Sequence, residues 1–253
     1  MTRTLWPALL MGLTSALAAP LAAQDLEEMI EAERDAFRAE IRAYLLENPE
    51  VLMEAIAILE EREEMAATAR DMQLVARHAS ALFEAEHDLI EGNPDGDITI
   101  VEFLDYRCGF CRRAAPEMAE LLEADGNIRL VVKELPILGE QSVLASRFAL
   151  SSRYVEGEEA YADLHAALLA MRADVSVTAL RRLADNLGYD GDAILDGMED
   201  PRIDAVIDAN YALARNLQIS GTPTFVMSGQ VVRGFVDADA MAALVAAERA
   251  AIE

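Results

Sequence analysis

At 253 residues with 53% hydrophobic content, the chain is long and apolar enough to bury a sizeable core, which excludes a disordered protein. Its 46 acidic residues outnumber 21 lysines and arginines, for a formal net charge of −25 with no basic run to interrupt it. Phosphate backbones and anionic lipids are therefore poor partners, and no nucleic-acid role is expected.

Residues 1–23 open with Met1 and Arg3, continue through an apolar run over 5–19, and end in Leu21-Ala22-Ala23 before the polar pair Gln24-Asp25. Charged, apolar and small segments in that order read as a secretory signal peptide. The alternative is an uncleaved membrane anchor, since the run approaches the lower length of a spanning helix. Cleavage is the preferred reading and implies an exported, periplasmic protein. The signal region offers no cysteine for acylation, and no later apolar run is long enough to span.

Residues 24–91 read as a helical extension. From 25 to 88 there is no glycine and a single proline, Pro49, among good helix formers. Leu26, Ile30, Phe37, Ile41 and Tyr44 fall on one stripe. Asn48-Pro49 breaks the run, Asn48 suited to a cap and Pro49 to the first turn of a second helix. That helix carries Leu52, Ile56, Leu59, Ala66, Ala69, Met72, Ala76, Ala79 and Phe83 opposite a face bearing Glu60, Glu61, Glu63 and Glu64. Such a stripe needs cover, either from another copy of the chain or from folding back on itself or on the domain that follows.

Gly92-Asn93-Pro94-Asp95-Gly96-Asp97 concentrates turn formers and marks the start of a second domain over 92–253. A buried strand is expected over 98–104, a helix over 112–124 and a second strand over 128–135. Residues 140–217 are helical in pattern, punctuated by Gly157, Gly188, Gly191 and the cap-and-proline pair Asp200-Pro201. Strands return over 224–227 and 230–235 around a Ser228-Gly229 turn, and a helix over 238–252 closes the chain. This order describes an α/β domain with a helical insertion at about 140–217.

The two cysteines sit in Cys108-Gly109-Phe110-Cys111. A loop this small gives a structural crosslink little to constrain, whereas disulfide exchange needs two thiols this close. Residues three apart are neighbours on a helix, and a first cysteine at its N-terminus meets free N–H groups and the macrodipole, which favour the thiolate. Arg107, Arg112 and Arg113 add positive charge there. Haem attachment would need a histidine directly after Cys111, where Arg112 stands. Structural zinc would need two further ligands, and His78, His87 and His165 lack ligand spacing. No cofactor is called for. Copper(I) accepts two soft thiolates, so a Cu(I) site at Cys108 and Cys111 stands as the alternative to redox chemistry.

Residues 92–111, above all Thr99-Ile100-Val101-Glu102-Phe103-Leu104-Asp105-Tyr106-Arg107-Cys108-Gly109-Phe110-Cys111, resemble the active-site strand and helix of the DsbA-like branch of the thioredoxin superfamily. Pro116 sits where such proteins kink the active-site helix, and Gly221-Thr222-Pro223-Thr224-Phe225 resembles their cis-proline loop. The segment Ile41-Arg42-Ala43-Tyr44-Leu45-Leu46-Glu47-Asn48-Pro49-Glu50-Val51-Leu52 is similar to the N-terminal region of ScsC (suppressor of copper sensitivity) proteins. The resemblance implies a thioredoxin-like fold with an inserted helical domain, preceded by an N-terminal helical extension that in some members assembles a trimer. It implies a protein disulfide oxidoreductase, in the ScsC case an isomerase, acting on cysteine-containing exported proteins and reset by a membrane partner of DsbD or DsbB type.

It also implies roles. Cys108 attacks and Cys111 resolves. Pro223 takes the cis form and faces the pair, while Thr222 offers backbone groups to an extended substrate and a hydroxyl near Cys108. A threonine there resembles isomerases more than DsbA oxidases. Glu102, six residues before Cys108, stands where the family carries an acid that takes the proton from Cys111, with Lys133 and Glu134 as secondary candidates for that network. The dipeptide Gly109-Phe110 departs from the proline and histidine of strong oxidases, which favours reshuffling or reduction. A monomeric DsbA-like oxidase and a Cu(I)-binding protein are the competing readings.

Overall fold

The computed structural model describes residues 29–252; the signal-like segment 1–23 lies outside the described residues. Two compact units divide at Glu60 and Glu61. In the first, helix α1 (Glu31–Glu47) ends at Asn48, whose backbone N–H and Nδ2 both bond the Tyr44 carbonyl at 2.8 Å. Pro49 then opens the first turn of α2 (Glu50–Arg77), where its missing N–H costs nothing and its carbonyl accepts from Leu52. No residue of α1 is buried, and Phe37, Ile41 and Tyr44 of the stripe are exposed.

The second unit takes in the end of α2, then α3 (Ala79–Phe83), β1 (Leu89–Gly92), β2 (Ile98–Leu104), α4 (Gly109–Asp125) and β3 (Ile128–Glu134). Five helices follow: α5 (Glu140–Val155), α6 (Glu158–Ala170), α7 (Val177–Leu187), α8 (Gly191–Gly197) and α9 (Pro201–Asn216). The hairpin β4 (Thr224–Met227) and β5 (Gln230–Arg233) and helix α10 (Ala238–Ile252) complete it. The sheet has order β1-β3-β2-β4-β5, with β2 parallel to β3 and every other pair antiparallel.

Strand alternation sorts the core into two layers. Ile100, Leu104, Leu130 and Val132 meet Cys111, Ala114, Met118 and Leu121 of α4 and Met241 and Val245 of α10. Val101, Phe103 and Val131 face the other way, against Val75, Leu82, Leu213 and Leu217. Burying a side chain such as Leu82, which is fully enclosed, contributes roughly 1.5–3 kcal/mol.

Those contacts correct the boundary read from the sequence. Val75 and Leu82, assigned to the extension, belong to the core beneath the sheet, and the expected single helix to Phe83 breaks at His78. Strand β1, whose residues 89–91 were also placed in the extension, pairs with β3. Four residues with an acid among them are too few to display a period-2 pattern, and β1 exists because β3 offers an open edge. Gly92 has φ +71°, and a Cβ there would lie 2.5 Å from the Ile128 carbonyl oxygen, so the turn requires glycine.

The hairpin turn uses positive φ at both Ser228 and Gly229, the geometry that matches strand twist. Strand β5 ends sooner than the pattern suggests. Gly234, at φ +94°, leaves the ladder and its N–H bonds the Pro223 carbonyl at 2.9 Å, tying the hairpin to the loop before β4. Helices α5 to α9 form the expected insertion between β3 and β4.

Candidate active site

Strand β2 runs into the loop that carries the cysteines, and Asp105 fixes that loop. Its carboxylate is fully buried; one oxygen accepts from the Arg107 N–H at 2.7 Å and the other from the N–H groups of Ile137 and Leu138 at 2.8 and 3.0 Å. The chain then turns so that Cys108 is the N-cap of α4, with extended backbone and its carbonyl already accepting from Arg112. Cys108 retains 7% exposure and Cys111, one turn inside the helix, has none. Both are free thiols.

The loop before β4 closes over this pair. The Cys108 thiol donates to the Thr222 carbonyl at 3.1 Å, and the Thr222–Pro223 bond is cis, as the sequence suggested. Burial pushes the Cys111 thiol far above the ordinary range, and the nearby Cys108 and Glu102 push the same way. Hydrogen bonds from the Asp105 backbone and the Thr222 side chain oppose the rise. At Cys108 the group from Thr222 that the sulfur bonds is the backbone carbonyl.

The three arginines differ in their surroundings. Arg107 turns to the loop after α6, bonding the Ala173 carbonyl and Asp174, each at 3.3 Å. Arg112 is held by its Nε, which donates to the Tyr106 carbonyl at 2.9 Å. Arg113 lies over the Phe235 ring, 4.0 Å from its centre.

Glu102 is not a solvated strand-end acid. It shares the α4 face of the sheet with Ile100 and Leu104, is 5% exposed, and burial pushes its carboxyl up to about 8, with Glu91 adding repulsion. A cavity of about 320 Å³ reaches it, walled by Glu91, Ala115, Ala119 and His165. Among the described residues no protein donor bonds either carboxylate. Burial raises Glu91 as well.

Glu134 faces the same side and gathers a buried network. Tyr106 and Tyr161 donate to Oε1 at 2.6 and 3.1 Å and Ser146 to Oε2 at 2.7 Å, yet burial outweighs these bonds and lifts Glu134 to about 7. Nδ1 of His165 lies 2.9 Å from the Tyr106 hydroxyl. With that hydroxyl proton given to Glu134, the bond requires hydrogen on Nδ1. Burial lowers His165 to about 4, so the ring is neutral at physiological pH.

Lys133 is a correction. Its register places it with Phe103 on the opposite face, away from Glu102, where it donates to Asp88 at 2.5 Å and to the Ala81 carbonyl at 2.6 Å. No group of three or more His, Cys, Asp or Glu able to hold a metal ion occurs among the described residues.

Residues 99–247 match the family model of the DSBA-like thioredoxin domain. The chain belongs to the DsbA-like thioredoxin family. Residues 33–66 match a second model, the copper resistance protein ScsC N-terminal domain. A thioredoxin-like oxidoreductase from Silicibacter pomeroyi DSS-3 is 40% identical, with TM-score 0.63 over 67% of this chain and 96% of that one. A linker-deletion variant of Proteus mirabilis ScsC is 26% identical, with TM-score 0.67 over 88% of this chain and 98% of that one. Among curated proteins, the Na(+)/H(+) antiporter NhaA 3 of Salinispora tropica is 28% identical over 162 residues, 64% of this chain. The chain spans about a quarter of the length of that relative, 25%.

Within this DsbA-like frame, sequence reading missed Glu91, the Tyr106 and His165 pair and Asp88. Glu91 lay in a segment read as helix, and His165 is 59 residues from Tyr106 with no local signal to join them.

Proposed function

We propose that the chain is a periplasmic thiol-disulfide oxidoreductase that reshuffles disulfides in exported proteins. One observation carries this reading: Cys108 caps α4 opposite the Thr222 carbonyl while Cys111 is sealed one turn beneath it. The capping sulfur sits at the helix N-terminus and remains reachable, and burial holds the inner one as a thiol.

The Cys108 thiolate attacks one sulfur of a substrate disulfide, forming a mixed disulfide and releasing the other substrate sulfur as a thiolate. In isomerisation that thiolate attacks a second substrate disulfide, and the last thiolate formed displaces Cys108, so no net oxidation occurs. If the substrate stalls, Cys111 gives its proton to Glu102 and attacks Cys108. The substrate leaves reduced and the enzyme pair is oxidised. A carboxyl near 8 has enough of its ionised form at neutral pH to accept that proton, and the cavity beside it connects it with solvent. Cys108, Cys111 and Glu102 therefore act on the reacting sulfurs, with Thr222 and Pro223 as the wall against which an extended substrate lies.

Isomerisation is favoured over oxidation by Thr222 and by the absence of a histidine between the cysteines. It is also favoured by the exposed stripe of Phe37, Ile41 and Tyr44, a surface suited to other copies of the chain. We read the assembly as a homo-oligomer, a trimer by its ScsC resemblance, whose several active sites raise the effective concentration around one misfolded substrate. A membrane partner of DsbD type would keep the pair reduced. Refolding of scrambled ribonuclease tests the reading: wild type should speed recovery and Cys108→Ser should not, and equal recovery would overturn it.

A further inference from the structure

A second groove, about 610 Å³, begins at Gly109, the residue bonded to Cys108, and runs between α4 and the end of α6. Its wall includes Arg112, Arg113, Pro116, Ala166 and Arg172, and no aspartate or glutamate lines it. That composition is opposite to the chain as a whole, whose acids outnumber its bases by more than two to one. A groove elsewhere on the same unit follows the general trend, with Glu84, Glu86, Asp88 and Glu158 in its wall.

The arginines are also uncommitted, unlike many in this protein. Arg147, Arg153, Arg202, Arg233 and Arg249 each hold a carboxylate. Among the described residues Arg112, Arg113 and Arg172 pair with none. Arg112 is fixed in place through Nε alone and its Nη2 is buried without an acceptor. A guanidinium held this way has already lost its freedom and lacks an anion, which lowers the ordering cost of binding one. The stacking of Arg113 on Phe235 likewise orients a cation without neutralising it.

We infer that this groove docks an acidic segment of a protein substrate, flanking the cysteine that Cys108 attacks. The inference rests on the oxidoreductase reading and adds the substrate class. Pro116 and Ala166 in the groove wall accept the backbone and small side chains, and the arginines select carboxylates. The effect opposes the field of the whole chain, which repels acidic peptides, so a preference for them reports the local site.

The test uses full-length protein and three disulfide-bearing peptides that differ only in flanking residues, acidic, uncharged apolar or basic. Rate constants for exchange are measured at about 50 mM and about 500 mM salt. We expect the acidic peptide to react roughly tenfold faster than the basic one at low salt and the ratio to approach one at high salt. In Arg172→Glu, and separately in Ala166→Glu, the ratio should fall below one. Because every ratio compares peptides on the same Cys108, altered thiol reactivity cancels. Equal rates in wild type, preference for the apolar peptide, or an acidic preference unchanged in both variants would overturn the inference and leave the oxidoreductase reading standing. Failure to exchange with any of the three would overturn both.

Discussion

The Cys108 thiol and the Thr222 carbonyl oxygen, 114 residues apart in the chain, meet at 3.1 Å. The contact is made by backbone on the Thr222 side, so a side-chain change leaves it in place. The Thr222 side chain opposes the rise that burial imposes on the Cys111 thiol. Thr222→Val should therefore leave the first attack by Cys108 within about twofold and slow resolution by Cys111 by roughly tenfold, the scale of one hydrogen bond to an anion. Stopped-flow separation of mixed-disulfide formation from its decay measures both.

Glu102→Gln should change resolution and stability together. Without the acceptor, resolution at neutral pH should slow by about 10²-fold while mixed-disulfide formation is kept. Folding raises the Glu102 carboxyl from 4.5 to about 8, so the folded protein keeps a proton that the unfolded chain releases. That stabilisation is fully present below 4.5 and is lost as pH rises through 8. The neutral amide removes the loss, so the variant should be more stable than wild type at pH 8 by on the order of 1–3 kcal/mol, and about equal near pH 4. Urea unfolding at the two pH values decides it.

His165 acts in the other direction. Its folded value near 4 lies below the ordinary 6.5, so the unfolded chain takes up a proton first as pH falls. Stability that depends on the neutral ring is present above 6.5 and lost as pH falls towards 4. His165→Gln should flatten the acid side of the stability profile, measured by thermal unfolding between those two pH values.

The pair of Lys133 and Asp88 lies on the face away from the cysteines. Burial raises Asp88 to about 6 and lowers Lys133, so desolvation exceeds the attraction for each partner. Lys133→Met should cost about 3 kcal/mol or more by stranding a buried acid, and adding Asp88→Asn should restore much of it. Exchange rates in the double variant should match wild type, since neither group touches the sulfurs.

What the sequence disclosed follows from how far each signal reaches along the chain. The cysteine pair, the run of β-branched residues before it and the cap at Asp200-Pro201 are local patterns, and each is found where expected. The Ser228-Gly229 turn was legible because two adjacent residues must both take positive φ. Strand β1 was not, since Leu89-Ile90-Glu91-Gly92 becomes a strand only against the edge of β3. Lys133 was assigned to the wrong network because a one-residue shift in register changes the face of a strand, and residue type alone does not reveal which face is which. The acids in the cavity, Glu91 and Glu102, meet across strands whose pairing had to be seen first.

The division of labour between the two sulfurs underlies every step above, and trapping tests it most directly. Cys111→Ser and Cys108→Ser are each mixed with a disulfide-bearing peptide and the adduct is mapped by mass spectrometry. We expect a long-lived adduct on Cys108 in the first variant and none in the second. An adduct on Cys111 forming in Cys108→Ser as fast as one on Cys108 forms in Cys111→Ser would contradict the assignment of attacking and resolving thiols.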